Sequence, residues 1–342
     1  MLAKEMHMSR AIDLAKLGIG MVSPNPLVGC VLVKDGKIIG EGFHQKFGEA
    51  HAEVNAVNSV EDKTLLEGAT AFVTLEPCNH QGKTPPCTDL LIRSKIAEVI
   101  IGSVDPNPKV YGKGINHLKN AGIKVESGFM QAQCEFMNRR FFTFHNRHRP
   151  HIILKWARTL DGFIARKNLD SKWISNSRSR QIAHQLRVEN DAIMVGKTTA
   201  AVDNPQLNAR NWYGNSPKRG VLDLRLEVPD DHHLFDRKTL TWVFNAKKDE
   251  SEKNLRYVKV DAENPEQAIL RFLHGENIQS LVIEGGSRTL QGFIDKGLWD
   301  EAYVFQAKKQ FQEGVKEPFL TGTVLNKIQV EGDELWRLIN TH

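Results

Sequence analysis

Apolar positions along this chain recur with two periods, near 3.6 and near 2, and the alternation of the two outlines its architecture. Residues 7–18 (HMSRAIDLAKLG) predict an amphipathic helix, and residues 27–43 (LVGCVLVKDGKIIGEGF) predict a hairpin turning at Asp35-Gly36. A helix over 49–60, a strand over 70–77 and a helix over 85–96 opened by proline follow. Residues 97–108 read as strand then turn, and 114–128 as helix then strand. Strands alternating with helices predict an α/β fold with a mostly parallel sheet covered on both faces.

The pattern breaks over 139–151 (RRFFTFHNRHRPH), and Pro150 precedes a fresh strand, HIILKWA. The second half then repeats the same grammar. Helices are predicted over 177–190, 265–275 and 287–297, and strands over 191–196, 239–246 and 280–286. A boundary near residue 147 divides the chain into domains of 1–146 and 147–342, a comfortable division for 342 residues.

Composition narrows the function classes. Residues 1–150 carry 18 Lys and Arg against 15 Asp and Glu, and the remainder 28 against 26. Neither half is a basic module, so nucleic acid is not the expected partner, and a small anionic substrate suits the balance better. No apolar run has the roughly 18 residues a membrane helix needs, and the first residues lack the apolar stretch of a secretory signal. A cytoplasmic protein without membrane association is expected. In a reducing compartment, four cysteines, at positions 30, 78, 87 and 134, are too few and too scattered for a disulfide scaffold.

The strongest chemical signal is His51-Ala52-Glu53, followed by Pro77-Cys78 and, nine positions later, Cys87. Three nitrogen and sulfur ligands leave the fourth tetrahedral position of zinc open for water, the catalytic arrangement. Zinc lowers the pKa of that water to about 7, and Glu53 is the candidate proton carrier between the water, the ring and a leaving amine. Side chains two positions apart diverge by about 200° on a regular helix. His51 and Glu53 can therefore converge only at a helix mouth. Cys87 is likewise expected to open a helix. The zinc nucleobase deaminase signature has its cysteines separated by two residues; eight separate them here. The competing reading is a structural zinc knuckle with His80 as fourth ligand, which leaves Glu53 without a role. Cys30 and Cys134 read as ordinary packing.

The segment Thr74–Cys87 (TLEPCNHQGKTPPC), with Pro24-Asn25-Pro26-Leu27-Val28-Gly29, the 105–108 turn and Asn138-Arg139-Arg140-Phe141-Phe142, resembles the bifunctional riboflavin-biosynthesis deaminase/reductases. The resemblance covers nearly the whole chain. It implies a cytidine-deaminase-like αβα domain followed by a dihydrofolate-reductase-like α/β domain. It also implies a diaminopyrimidinone substrate carrying a ribosylamino 5′-phosphate, with contacts at Asn25, His44, His80, Lys83 and Thr84. Taken alone, Asn25 reads as a turn residue between prolines and Lys83 as a solvated loop charge.

In the second half, Ile283-Glu284-Gly285-Gly286-Ser287 joins a strand to a helix and would let backbone amides approach a phosphate. A plain tight turn fits as well. Val195-Gly196-Lys197-Thr198-Thr199 lacks P-loop spacing, which excludes nucleoside triphosphate hydrolysis. The segments 155–162, 171–175, 203–208 and 284–286 resemble the reductase half, which implies NADPH-dependent reduction of the ribosyl group to ribityl. By position, Ala157, Trp173, Thr199, Asp203 and residues from Gly286 onward would line the cofactor. Ser171, Arg187, Leu207, Arg210 and Glu284 would face the substrate; guanidinium groups suit a sugar phosphate, although surface charge alone would also explain them. One departure stands out: the family usually carries a glycine-rich turn where this chain has Lys308–Gly314, KKQFQEG. Two other readings are a deaminase with a non-catalytic C-terminal domain and, disfavoured by charge and cysteine spacing, a nucleic-acid deaminase. A homo-oligomer assembled through the C-terminal domain is compatible with the reading.

Overall fold

In the computed structural model, which describes residues 2–80 and 85–341, the chain divides into two units, Met1–Arg147 and His148–His342. The first contains α1 (Leu2–Lys16), β1 (Gly29–Lys34), β2 (Lys37–Phe43), α2 (Ala52–Ser59), β3 (Thr70–Leu75), α3 (Cys87–Arg93), β4 (Glu98–Ser103), α4 (Lys113–Asn120), β5 (Lys124–Ser127), α5 (Gln131–Met137) and α6 (Arg139–Arg147). The hairpin turns where its sequence demands. Asp35 and Gly36 both take positive φ, 50° and 74°, the conformation of a two-residue primed turn.

The sheet order is β2-β1-β3-β4-β5. It is less parallel than the helix–strand alternation predicts, because β1 runs antiparallel to both β2 and β3. Successive residues of β1 feed opposite faces, as strand geometry requires. Cys30 and Leu32 pack with Ala52, Ala56, Leu91 and Leu118 of α2, α3 and α4. Val31 and Val33 pack with Met8, Ala11 and Ala15 of α1 and Cys134 of α5. The break expected over 139–151 is mostly helical: Phe141 and Phe144, three positions apart, bury one face of α6.

The second unit contains β6 (His151–Arg158), β7 (Phe163–Ala165), α7 (Ser177–Val188), β8 (Ala192–Gly196), α8 (Lys197–Asp203), β9 (Lys218–Leu222), β10 (Thr241–Asn245), β11 (Glu250–Glu252), β12 (Leu255–Lys259), α9 (Pro265–Gly275), β13 (Ser280–Glu284), α10 (Ser287–Asp295), β14 (Glu301–Gln306), β15 (Val315–Lys316), β16 (Thr323–Val330) and β17 (Asp333–Ile339). Its ten-stranded sheet runs β11-β12-β10-β9-β8-β13-β6-β14-β17-β16. The seven strands from β12 to β14 are mutually parallel. Antiparallel β11 and the β16–β17 hairpin close the edges. Ile152 and Leu154 of β6 face α9 and α10 through Ile269, Leu290 and Phe293, while Ile153 faces Leu186 of α7 and Ala200 of α8. No described helix is long and apolar enough to cross a membrane.

Candidate active sites

The first site forms where two helices begin. His51 is the N-cap of α2, with extended backbone (φ −74°, ψ 166°), and is therefore released from the angular stagger that would otherwise part it from Glu53. Cys87 is the first residue of α3, and Cys78 follows β3. The ligand atoms of His51, Cys78 and Cys87 all lie within 4.8 Å of one another. His51 Nδ1 is 3.5 Å from Cys78 Sγ and 3.3 Å from Cys87 Sγ. Ligands held tetrahedrally at about 2.3 Å (sulfur) and 2.0–2.1 Å (nitrogen) from one zinc ion would be about 3.6 Å apart. The donor set and its spacing thus fit zinc. Among the described residues no fourth His, Cys, Asp or Glu joins this group; His80 is exposed and outside it, against the structural-knuckle reading.

Electrostatics prepares the same atoms. The Cys87 hydrogen bond, aided by His51 and opposed by burial, pulls the Cys78 thiol down to about 4, while that bond and burial push Cys87 up. The Cys87 backbone N–H also donates to Cys78 Sγ at 3.4 Å. Glu53 is 3% exposed, and burial, with Cys78 nearby, raises its carboxyl to about 6. A carboxyl poised there can both take and return a proton near neutral pH.

Neighbouring side chains fix the loops. Glu76, buried, accepts backbone N–H bonds from Asp105 (3.3 Å), Gly112 (3.0 Å), Gly114 (2.9 Å) and Ile115 (3.2 Å), clasping the start of α4 just before Pro77-Cys78. Gly114 is required there: a Cβ would lie 2.1 Å from the Pro77 carbonyl oxygen. Thr88 donates to Asn79 Oδ1 at 2.9 Å and to the Cys78 carbonyl at 3.3 Å. Asn138 takes the Leu27 N–H and donates to the Leu27 carbonyl, both at 2.8 Å, across 111 positions of sequence. The loop so pinned carries Asn25, whose Nδ2 meets His44 Nε2 at 3.1 Å; His44 Nδ1 meets the Ala50 carbonyl at 3.0 Å. With its two nitrogens facing a carbonyl and an amide, His44 is neutral, and burial lowers its pKa. Lys83 and Thr84 lie outside the described residues. The roles of Glu76 and Asn138 were missed in sequence, although both stand in quoted motifs, because their partners are remote.

The second site is a cleft of about 1050 Å³ at the carboxyl ends of the parallel strands. Its lining includes Ala157, Trp173, Thr199, Asp203 and Gly286, and also Ser171, Arg187, Leu207, Arg210 and Glu284. Glu284, at the end of β13, receives Arg187 Nε at 2.8 Å and Nη2 at 2.7 Å, with Lys155 Nζ at 3.7 Å. Burial would raise this carboxyl, but the two cations outweigh it and hold it at about 2. Arg187 is therefore committed to Glu284 and the Asn208 carbonyl (2.9 Å), and Arg210, bonded to Asn208 Oδ1 at 3.0 Å, is the more exposed guanidinium. Ser171 donates to Asp203 Oδ2 at 2.9 Å. Lys155 and the buried His184 also line the cleft; Lys155 stands in the quoted 155–162 segment but was given no role there, and a helical histidine such as His184 carries no motif. Gly285 and Gly286 take φ of 85° and 75°, a loop that only glycine enters without strain. Residues 308–314 are not part of the cleft lining; Phe311 and Gln312 instead donate backbone N–H bonds to the Asp161 carboxylate at 3.0 and 2.7 Å.

Comparison with known proteins follows this division. Residues 1–103 match the cytidine and deoxycytidylate deaminase zinc-binding region, and residues 150–332 match the RibD C-terminal domain. The chain is 42% identical to the riboflavin biosynthesis protein RibD of Aquifex aeolicus, over 90% of this chain and 88% of that protein. It is 36% identical to the RibD of Escherichia coli K12, over 89% and 88%. Among solved structures, it is similar to a diaminohydroxyphosphoribosylaminopyrimidine deaminase/5-amino-6-(5-phosphoribosylamino)uracil reductase of Thermotoga maritima (TM-score 0.92, 38% identity, 99% of each chain covered). Acinetobacter baumannii RibD superposes with a TM-score of 0.91 at 34% identity, over 100% of this chain and 99% of the other.

Proposed function

The chain belongs to the RibD family, the bifunctional deaminase/reductases of riboflavin biosynthesis, and from that premise we propose its substrates, its cofactors and the residues that act on them. The first domain hydrolyses the amine from 2,5-diamino-6-ribosylamino-4(3H)-pyrimidinone 5′-phosphate. The second reduces the ribosyl group of the product to ribityl at the expense of NADPH. The observation that carries the first step is the convergence of His51, Cys78 and Cys87 beside the buried carboxyl of Glu53.

His51 Nδ1, Cys78 Sγ and Cys87 Sγ would hold zinc. Bound there, zinc lowers the pKa of water to about 7 and acts as a Lewis acid. Glu53 takes one proton from the attacking water and hands it to the ring nitrogen, then carries the second, left on the added hydroxyl, to the departing amine, so that C–NH₂ and water become C=O and ammonia. Asn25 offers donor and acceptor to the pyrimidine edge, held by neutral His44. His80, Lys83 and Thr84 complete the substrate contacts, with Lys83 as partner of the phosphate. A reducing, cytoplasmic setting suits the thiol ligands.

In the reductase, NADPH supplies hydride. Ala157, Trp173, Thr199, Asp203 and Gly286 bind it; Ser171, Arg187, Leu207, Arg210 and Glu284 bind the ribosyl phosphate. Glu284 stays anionic across the physiological range because Arg187 and Lys155 flank it, giving sugar hydroxyls a fixed acceptor. The test is conversion of the diaminopyrimidine by purified protein, followed by ammonia release and by NADPH oxidation. Ammonia release without oxidation, when the deaminated substrate is supplied, would leave a deaminase with a non-catalytic second domain.

A further inference from the structure

The wall of the cleft that carries Trp173 has no regular structure. Residues 166–176, between β7 and α7, form neither helix nor strand, yet Leu169 and Ser171 through Ser175 line the cleft. Without a ladder of backbone hydrogen bonds, other contacts must fix such a segment. Asp203, at the end of α8, supplies one set: Ser171 donates to its carboxylate at 2.9 Å and Lys172 Nζ to its carbonyl at 3.3 Å. Arg180 of α7 supplies another. Its guanidinium stands 4.8 Å from the centre of the Trp173 ring and donates to the Ser175 carbonyl at 2.8 Å.

A third set comes from the turn between β14 and β15, Lys308–Gly314, which itself lines no part of the cleft. Topology brings it there. β15 pairs antiparallel with β7, Val315 beside Ala165, so the turn ends where the wall begins. Gly314 permits the approach: a Cβ on it would stand 2.2 Å from the Ala165 carbonyl oxygen. The turn has a fixed base. Leu160 N–H donates to the Lys309 carbonyl at 2.8 Å, and the Asp161 carboxylate holds the N–H groups of Phe311 and Gln312. From this base three side chains reach the wall. Lys309 Nζ donates to the Trp173 carbonyl at 2.6 Å. The Arg166 guanidinium lies over the Phe311 ring at 4.3 Å, and it also bonds the Asp170 carboxylate at 2.9 Å and the Lys172 carbonyl at 3.0 Å. Glu313 pairs with Lys167, an exposed ion pair that is worth little. The Lys309 bond matters more, because its donor is charged and its acceptor is the main chain of Trp173 itself.

We propose that the 308–314 turn holds this wall of the cleft in place, with Lys309 as the positioning residue for Trp173 and Phe311, through Arg166, for residues 170–172. The proposal rests on the reading of Trp173 as an NADPH contact. Full-length protein tests it twice, by NADPH oxidation on the deaminated substrate and by hydrogen–deuterium exchange of the free enzyme. Lys309→Met keeps the stem and loses the donor. KM for NADPH should rise about 2–10-fold, the worth of one hydrogen bond, with kcat little changed, and the amides of 169–175 should exchange faster. Lys309→Arg, which keeps a charged donor, should restore most of both. Phe311→Leu keeps apolar bulk without the ring face and should raise KM by about 2–5-fold. Ammonia release should stay the same in all three variants. An unchanged KM, or unchanged exchange at 169–175, in Lys309→Met would overturn the assignment, and so would faster exchange across the whole second unit. Wild-type protein that does not bind NADPH would defeat the reductase reading instead, while the exchange of 169–175 would still report whether the turn holds the wall.

Discussion

The two sites are assembled on different scales. In the first unit the candidate ligand atoms, from His51, Cys78 and Cys87, sit within 4.8 Å of one another. Helix starts do the placing: an N-cap presents His51 and a first helical residue presents Cys87. In the second unit the cleft draws on strand ends from β6 to β13 and on loops as far apart as 171 and 286. Its central carboxylate is flanked by two cations, Arg187 and Lys155 on Glu284. A compact site concentrates its chemistry in a few atoms, so single substitutions there should be catastrophic. A distributed one should lose function in steps.

The largest expected effect tests the compact site. Cys78→Ser or Cys87→Ser should remove zinc and deamination together, while purified wild-type protein holds about one zinc per chain. Metal analysis beside ammonia release decides it, and full zinc content in both variants would refute the ligand set. Next in size, Glu53→Gln should keep zinc and lose deamination by about 10²–10⁴-fold, the usual scale of general acid–base catalysis. Loss of zinc in that variant would make Glu53 a ligand. In both cases NADPH oxidation on the deaminated substrate should persist.

The contrast in scale also explains what could be read from sequence. His51, Glu53, Cys78 and Cys87 are unusual residue types at restrictive spacing, and their chemistry dictates helix-mouth placement. The α9 pattern was legible for a similar local reason: Asn264 precedes it, Pro265 opens it and its apolar period is regular. Helix α6 was hidden because its buried face amounts to Phe141 and Phe144 amid arginines and histidines. The β16–β17 hairpin escaped because β16 is almost wholly exposed, which removes the apolar signal. In the cleft, Arg187 gave no hint of its partner, Glu284, 97 positions away. Only the resemblance singled out those residues; their pairing required the fold.

In the distributed site, Glu284→Gln should reduce NADPH oxidation by about 10–100-fold, the worth of a charged hydrogen bond to substrate, and leave ammonia release intact. Glutamine keeps the shape but leaves Arg187 and Lys155 less well paired, so stability changes too. The sign follows from linkage. Glu284 titrates near 2 in the folded protein, below its unfolded value of about 4.3, so its stabilisation is present above that value and lost as pH falls toward 2. Between pH 5 and 2 the wild-type second unit should therefore lose stability more steeply than Glu284→Gln, as denaturant midpoints would record. Equal slopes would mean that the carboxylate is not held by its cations.

The smallest effect belongs to a residue that touches no zinc ligand. Asn138 satisfies both backbone groups of Leu27 from inside the fold, and so fixes the loop that presents Asn25 to His44. Alanine there leaves a buried N–H and a buried carbonyl without their partner, at a cost of about 1–3 kcal/mol. For a domain of this size that lowers the midpoint of thermal unfolding by about 2–12 °C. Because the metal ligands are held separately, by Glu76 and Thr88, zinc content should not change. The looser Asn25 should raise KM for deamination a few-fold while kcat changes little, a split that general destabilisation would not produce at a temperature where the variant is fully folded. If kcat fell with KM unchanged, or zinc were lost, Asn138 would be supporting the metal loop instead, and the first site would be less compact than its ligand spacing suggests.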